Sequence, residues 1–407
     1  MVRDWRVAAM VAFTSLWAGS ACVDRAEAQT QESDEALGLG DERKDEGPRA
    51  GDVYALTNDE LNGVARYSRD RDGRLIWEET TSSGGRGTAG LIVPDLVERG
   101  VDPLFSNESV LLSEDGRWAF AVNPLSNTVA SFRVGRSGRL ERIGTVDSGG
   151  KLPNTLAFEG RVLYVGNVGQ PAKGVPATVS GFRLDQRGEL HPIPGSTQQL
   201  VDPSRSLPTH LLFTKEGDRL LVADLMTNTI SVFPVRRDGR LDAPTHNPSA
   251  GAGPFGLFLP GRSVLLVSEA MAGALSSYRL NGTHLEVISS SVANGQVAAC
   301  WISITPDRRL AFVSNTGSGN VSVYALDAGG AVALLHPAEA FRPGIGGLSS
   351  GPVDSVVSGN GRFFFQHYSG RGEVGAYAIE NDGRLTPIPG GDGLALPKLG
   401  STGLTGG

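Results

Sequence analysis

The sequence predicts an all-β protein: a seven-bladed β-propeller of four-stranded antiparallel blades, closed by N- and C-terminal strands that share blade 1. Three observations predict it. First, a short apolar run ends on a polar residue, and usually nine positions later an aromatic follows, seven times over: Asn58, Asn123, Asn167, Asp224, Glu269, Asn315 and His367 are followed by Tyr67, Phe132, Phe182, Phe233, Tyr278, Tyr324 and Tyr377. Second, tight-turn signals flank each unit, such as Asp115-Gly116 before a run and Asp238-Gly239 after an aromatic. Glycine supplies the positive φ that a hairpin turn requires. Third, the period of about 43–54 residues with four strands per unit is that of a propeller blade.

The stretch from Arg205 to Leu241 shows the unit most clearly. Leu220-Leu221-Val222-Ala223 ends on Asp224, a turn follows, and Thr229 to Phe233 alternates small or polar with apolar side chains. That alternation reads as two antiparallel strands with one face buried. Because each blade packs only on its neighbours, one repeat architecture accommodates more residues than a single core.

The boundaries follow from composition. Residues 1–21 read as a signal peptide, with Arg3 and Arg6, an 11-residue apolar run from Val7 to Trp17 and the small residues Ala18 to Ala21. Eleven residues are too few to span a bilayer. Cys22 opens two branches: lipid attachment there, or ordinary cleavage and release. Residues 22–51 read as an acidic flexible tether, with nine Asp/Glu against four Lys/Arg between Asp24 and Ala50. Residues 52–407 form the propeller. Val53 to Thr57 is already a second strand, and Leu399 to Leu404 supplies the missing innermost one, which removes an open sheet edge. The irregular stretch from Ser82 to Asn107 exceeds the usual length of a connection, and such loops are often functional.

The net charge of −7 argues against a nucleic-acid footprint, and no nucleic-acid partner is expected. Cys300 has no cysteine partner in the propeller and reads as a small apolar core residue. Gly347-Leu348-Ser349-Ser350-Gly351 matches a nucleophile-elbow string but lacks the strand-to-helix setting of that elbow. No metal is assigned by spacing, although Asn and carboxylate oxygens around a funnel suit calcium. A monomer is expected, touching a membrane only through a lipid on Cys22.

Aligned innermost strands put Ser109, Thr155, His210, Gly256, Trp301, Asp354 and Gly403 at one ring position, on the face where the funnel opens. His210 and Glu269 are the candidate catalytic residues, a histidine acting as general base for water with a carboxylate to orient or assist it. Asp224, Asn167, Asn315 and Trp301 are candidate substrate-binding residues. A polar residue at a strand end is also what a turn cap looks like.

These residues carry a resemblance. The Val-Tyr/Phe-Val-x-Asn runs, the DGRL turns, Leu385 to Gly390 and Ala299 to Asp307 resemble the seven-bladed lactonase-type propellers, which include 6-phosphogluconolactonases and carboxymuconate lactonizing enzymes. The resemblance implies a lactone or carbohydrate ligand, a histidine at the place of His210 and a glutamate at that of Glu269. It also implies substrate-holding arginines where Phe255 and Thr316 stand here, so a phosphorylated lactone lacks its bidentate partners. The two functions implied are hydrolysis of a sugar or related lactone outside the cytoplasm, and non-catalytic binding of a ligand or protein in the cell envelope.

Overall fold

The computed structural model describes residues 51–407. The expected signal peptide, Cys22 and nearly all of the tether lie outside them. Seven antiparallel sheets are present, six of them four-stranded; in blade 3 a short fifth segment, Gln198–Gln199, pairs beside Leu190–Pro192 on the same strand. Blade 4 is representative, with strands Pro208–Phe213, Arg219–Asp224, Thr229–Pro234 and Thr245–Pro248 from the axis outward. Among the described residues, regular helix is confined to two 3-10 turns, Pro124–Ser126 and Pro171–Lys173.

The ring closes as expected. Thr402–Gly406 is the innermost strand of blade 1 and pairs antiparallel with Gly51–Leu56, with Ala55 opposite Leu404. All seven repeat aromatics, from Tyr67 to Tyr377, are among the largest fully buried side chains. They sit between blades in apolar clusters that join neighbours, such as Tyr164 and Phe233 with Leu211 and Val222 between blades 3 and 4.

Register corrects two positions. The residue four ahead of the partner of each aromatic is Asn123, Asn167, Asp224, Glu269 and Asn315, but Thr57 in blade 1 and Tyr368 in blade 7. Asn58 falls one residue beyond that register position, past the end of the strand Gly51–Leu56, because the loop of blade 1 is longer by one. His367 falls one residue early, and Tyr368, at the common spacing of nine, is an aromatic in a polar place. Its hydroxyl donates to Ala340 O and shares a hydrogen bond with Tyr377 Oη at 2.8 Å.

The start of the innermost strand is irregular in blades 1 and 3 to 7, where the pairing slips around Gly403, Asn154, Thr209, Phe255, Cys300 and Val353. A bulge turns its side chain out of the ladder. Around the axis, polar groups at these bulges or near them reach the next blade. Asn154 Nδ2 donates to Pro208 O at 2.6 Å, Thr209 Oγ1 to Phe255 O at 2.9 Å, and Ser268 Oγ to Cys300 O. Thr316 Oγ1 donates to Pro352 O at 3.0 Å, Gly403 N to Asp354 Oδ2 at 3.0 Å, and Ser109 and Thr402 share a hydroxyl bond at 3.0 Å. Leu156 N completes the circle by donating to Glu108 O at 3.1 Å. Every blade is thus latched to the next around the axis.

Candidate functional site in the central funnel

The strand-end polar residues hold loops. Asp224 Oδ1 accepts from Leu207 N at 2.9 Å, and Asn167 Nδ2 donates to Ser148 O at 3.3 Å. Asn315 accepts from Asn294 at 2.9 Å and donates to Asn320 and Ser322 at 2.8 Å each. In every case one partner lies on the segment entering the same blade. Tyr368 and Asn58 do the same, Asn58 Nδ2 reaching Gly400 O at 2.9 Å. Glu269 is fully buried, and its carboxylate accepts from Gly251 N at 2.7 Å, Ser276 Oγ at 2.5 Å and Ser291 Oγ at 2.6 Å. None of these bonds goes to His210.

His210 occupies the expected ring position and is 6 % exposed. Register confirms the alignment: Pro208 pairs with Asp224 as Pro153 does with Asn167, Pro254 with Glu269, Ala299 with Asn315 and Pro352 with Tyr368. His210 Nδ1 accepts the Leu257 N–H at 2.9 Å, so the ring proton is on Nε2, which has no partner. Burial pushes its pKa down to about 3. A neutral imidazole in this tautomer is a hydrogen-bond donor through Nε2, which does not match the general-base role expected from the sequence.

The mouth is filled from above. The stretch Ser83–Glu108 crosses it and reaches all seven blades. Thr88 Oγ1 accepts from Asn58 of blade 1 at 2.9 Å and Arg86 O accepts from Leu125 N of blade 2 at 3.1 Å. Leu104 O accepts from Asn154 of blade 3 at 3.2 Å, and Asn107 N donates to Thr209 O of blade 4 at 2.7 Å. Asn107 Oδ1 lies over Gly256 of blade 5, only 3.3 Å from where a Cβ would stand. Ser106 O accepts from Trp301 Nε1 of blade 6 at 3.0 Å, and Glu108 N donates to Asp354 Oδ1 of blade 7 at 3.4 Å. Trp301 packs edge-on against Phe255, ring centroids 4.9 Å apart, and with buried Leu104 these rings belong to the core.

Three carboxyls sit in this region: Asp102 and Glu108 on the crossing stretch, and Asp354 at the ring position. Burial, then the neighbouring Asp354, pushes Asp102 well above the ordinary carboxylate range. The same two causes push Glu108 up to about 8, and burial pushes Asp354 up to about 7 against its backbone hydrogen bonds. Sequence reasoning missed Asp102 and Glu108, whose signal was two acids in an over-long connection. Among the described residues, only Asp185, Glu189 and His191 bring three such ligand atoms together, on an exposed turn of blade 3. Two cavities, of about 700 and 460 Å³, open on the opposite face, lined by turns such as Ser113–Arg117 and Gly135–Gly138.

The fold is a seven-bladed propeller, and the sequence is similar to lactonase-type propellers. A sequence model described as "Lactonase, 7-bladed beta-propeller" matches residues 105–175. The chain is similar to the 6-phosphogluconolactonases: it is 24 % identical to that of Serratia proteamaculans over 287 residues, 67 % of this chain and 80 % of that protein. In structure it matches a periplasmic gluconolactonase from Pseudomonas aeruginosa with a TM-score of 0.68 at 16 % identity, covering 88 % of this chain and 98 % of that one. A protein from Lactobacillus plantarum matches with a TM-score of 0.65 at 16 % identity, covering 88 % and 99 %.

Proposed function

We propose that this protein hydrolyses an uncharged or singly charged sugar-type lactone, in the central funnel and outside the cytoplasm. The observation that carries the reading is the His210 imidazole, fixed by the Leu257 N–H with a partnerless Nε2–H at the ring position. Such a donor suits a lactone carbonyl oxygen that gains negative charge as water attacks. Asp354 and Glu108, held close to neutrality by burial, are suited to exchange protons. Water oxygen bonds to the carbonyl carbon, the ring C–O bond breaks, and the proton taken from water ends on the released ring oxygen. Glu269 acts at a distance, by fixing the Gly251 loop that leads into Phe255. Phe255 and Thr316, in place of arginines, favour a substrate without phosphate. Action outside the cytoplasm is supported by the export-like start and by the likeness to a periplasmic gluconolactonase.

The test is a lactone panel assayed by acid release, with the parent, His210→Ala, Asp354→Asn and Glu269→Gln. Loss of a carbonyl donor or proton-exchanging group lowers the rate by about 10²–10⁴-fold. The first two variants should show losses of that order, and Glu269→Gln a smaller one with lowered stability. No acid release by the parent, or an undiminished rate in His210→Ala, would sink the hydrolase reading. One observation favours the second reading, a non-catalytic binding propeller: Phe255, Trp301 and the crossing stretch fill the funnel with apolar core. Saturable binding of a lactone or sugar by the parent, with no turnover, is its signature.

A further inference from the structure

The stretch between blades 1 and 2 occupies the place that a ligand of the funnel would take. It is seated by three buried apolar side chains, Val93, Val101 and Leu104, by hydrogen bonds to blades 1 to 4, 6 and 7, and by the close approach of Asn107 to Gly256 of blade 5. Beneath and beside it four buried polar atoms have no partner: Ser106 Oγ, Glu108 Oε2, Asn154 Oδ1 and His210 Nε2. A segment built only to fill a core would leave fewer such groups unpaired, since each orphaned group opposes the closed arrangement.

We propose that residues 87–107 are a gate over the funnel, seated at acid pH and released as Asp102, Glu108 and Asp354 ionise against one another. As a gate over a lactone site the inference rests on the reading above, while the movement itself needs no substrate. The geometry is one-sided in charge. Asp102 and Glu108 are carried by the stretch, and Asp354 faces them from blade 7 and takes the Glu108 N–H. Asp354 is the charged group that acts on both Asp102 and Glu108, and no Lys or Arg is among the groups that shift the three. The Cys300 thiol of blade 6, beside Asp102, is pushed well up by burial and stays neutral. His210 of blade 4 and His367 of blade 7 are pushed down to about 3 and about 4, so neither changes charge above pH 5. Raising the pH therefore adds negative charge on both sides of the seat without adding a counter-charge, and like charges in a buried site repel.

Amide hydrogen exchange of the full chain, read by mass spectrometry between pH 5 and 9 and corrected for the intrinsic rate, tests this. Peptides from 87–107 should lose protection by about tenfold or more relative to the blade strands as pH rises, an opening confined to one segment. Asp354→Asn should flatten that loss, and Asp102→Asn should flatten it in an independent background. Protection of 87–107 that stays parallel to the blades throughout, or falls in both variants as steeply as in the parent, would overturn the gate. The outcomes separate from those of the hydrolase reading: a gate that moves in a protein without lactone turnover removes the enzyme and keeps the gate, whereas turnover beneath an immobile stretch does the reverse.

Discussion

Asp354→Asn should change the pH dependence of stability, with a sign opposite to that of an ion-paired surface acid. In the folded protein burial holds this carboxyl up to about 7, while in the unfolded chain it titrates near ~3.9. The folded state therefore holds the proton more tightly. Its stabilising effect is complete below about pH 4, declines as pH rises through 7, and changes no further above that. About 3 pKa units at ~1.4 kcal/mol each set an upper bound of about 4 kcal/mol, and relaxation around the site lowers this to about 2–4. Asparagine does not ionise, so it escapes the decline. It has a cost of its own, because Asp354 accepts the Glu108 N–H on Oδ1 and the Gly403 N–H on Oδ2, and asparagine offers a single oxygen. One unpaired N–H costs about 1–3 kcal/mol. The variant should therefore be less stable than the parent at pH 4 and equal or more stable at pH 8.5, the difference between them moving by about 2–4 kcal/mol. Urea unfolding of both proteins at half-unit steps reads this directly. A difference that stays constant across the range would refute the assignment of a raised pKa to Asp354.

Two further outcomes concern the frame. Ending the chain at Gly400 removes the strand Thr402–Gly406, exposes the edge Gly51–Leu56 and forfeits the burial of Leu404, about 1.5–3 kcal/mol by itself, with the paired backbone bonds in addition. The urea midpoint should fall and light scattering rise through edge pairing; an unchanged midpoint would count against closure through blade 1. Gly251→Ala places a Cβ 2.0 Å from Glu269 Oε2 and 2.5 Å from Ser291 Oγ. Displacing that carboxylate should destabilise by about 1–3 kcal/mol, and an undisturbed melting temperature would show that Glu269 does not organise this loop.

The architecture was legible because its signals are local and repeated. Phe233 nine residues after Asp224, between turns that demand glycine, specifies strand, loop and strand whatever lies elsewhere in the chain. The same spacing rule misplaced Asn58, because one extra loop residue leaves no trace in composition. It also passed over Tyr368, because a hydroxyl at the end of an aromatic ring can do what an amide does for a neighbouring loop. Ring positions were readable too, since His210, Trp301 and Asp354 follow from register. What they touch was not. Glu269 differs from its six counterparts in length, and only its three bonds reveal that the extra length reaches serines across the sheet. The crossing stretch was the least legible part: it has no period, and its contacts join residues more than a hundred positions apart, such as Asn107 with Thr209 and Ser106 with Trp301.

The latches from Asn154 round to Glu108 make the molecule a closed loop of seven interfaces. In a linear array of repeats the outermost unit can peel away by breaking one interface, so such proteins fray from their ends and need capping repeats. Here no unit is outermost. Detaching any blade requires two interfaces to fail together, which roughly squares the improbability of opening and favours all-or-none loss of the whole ring. The one place where this protection is weaker is blade 1, where the innermost strand is joined to its sheet only by non-covalent bonds. A circularly permuted chain, cut at the Asp238-Gly239 turn and joined across Gly51 and Gly407, would move that seam to blade 4 and leave every latch in place.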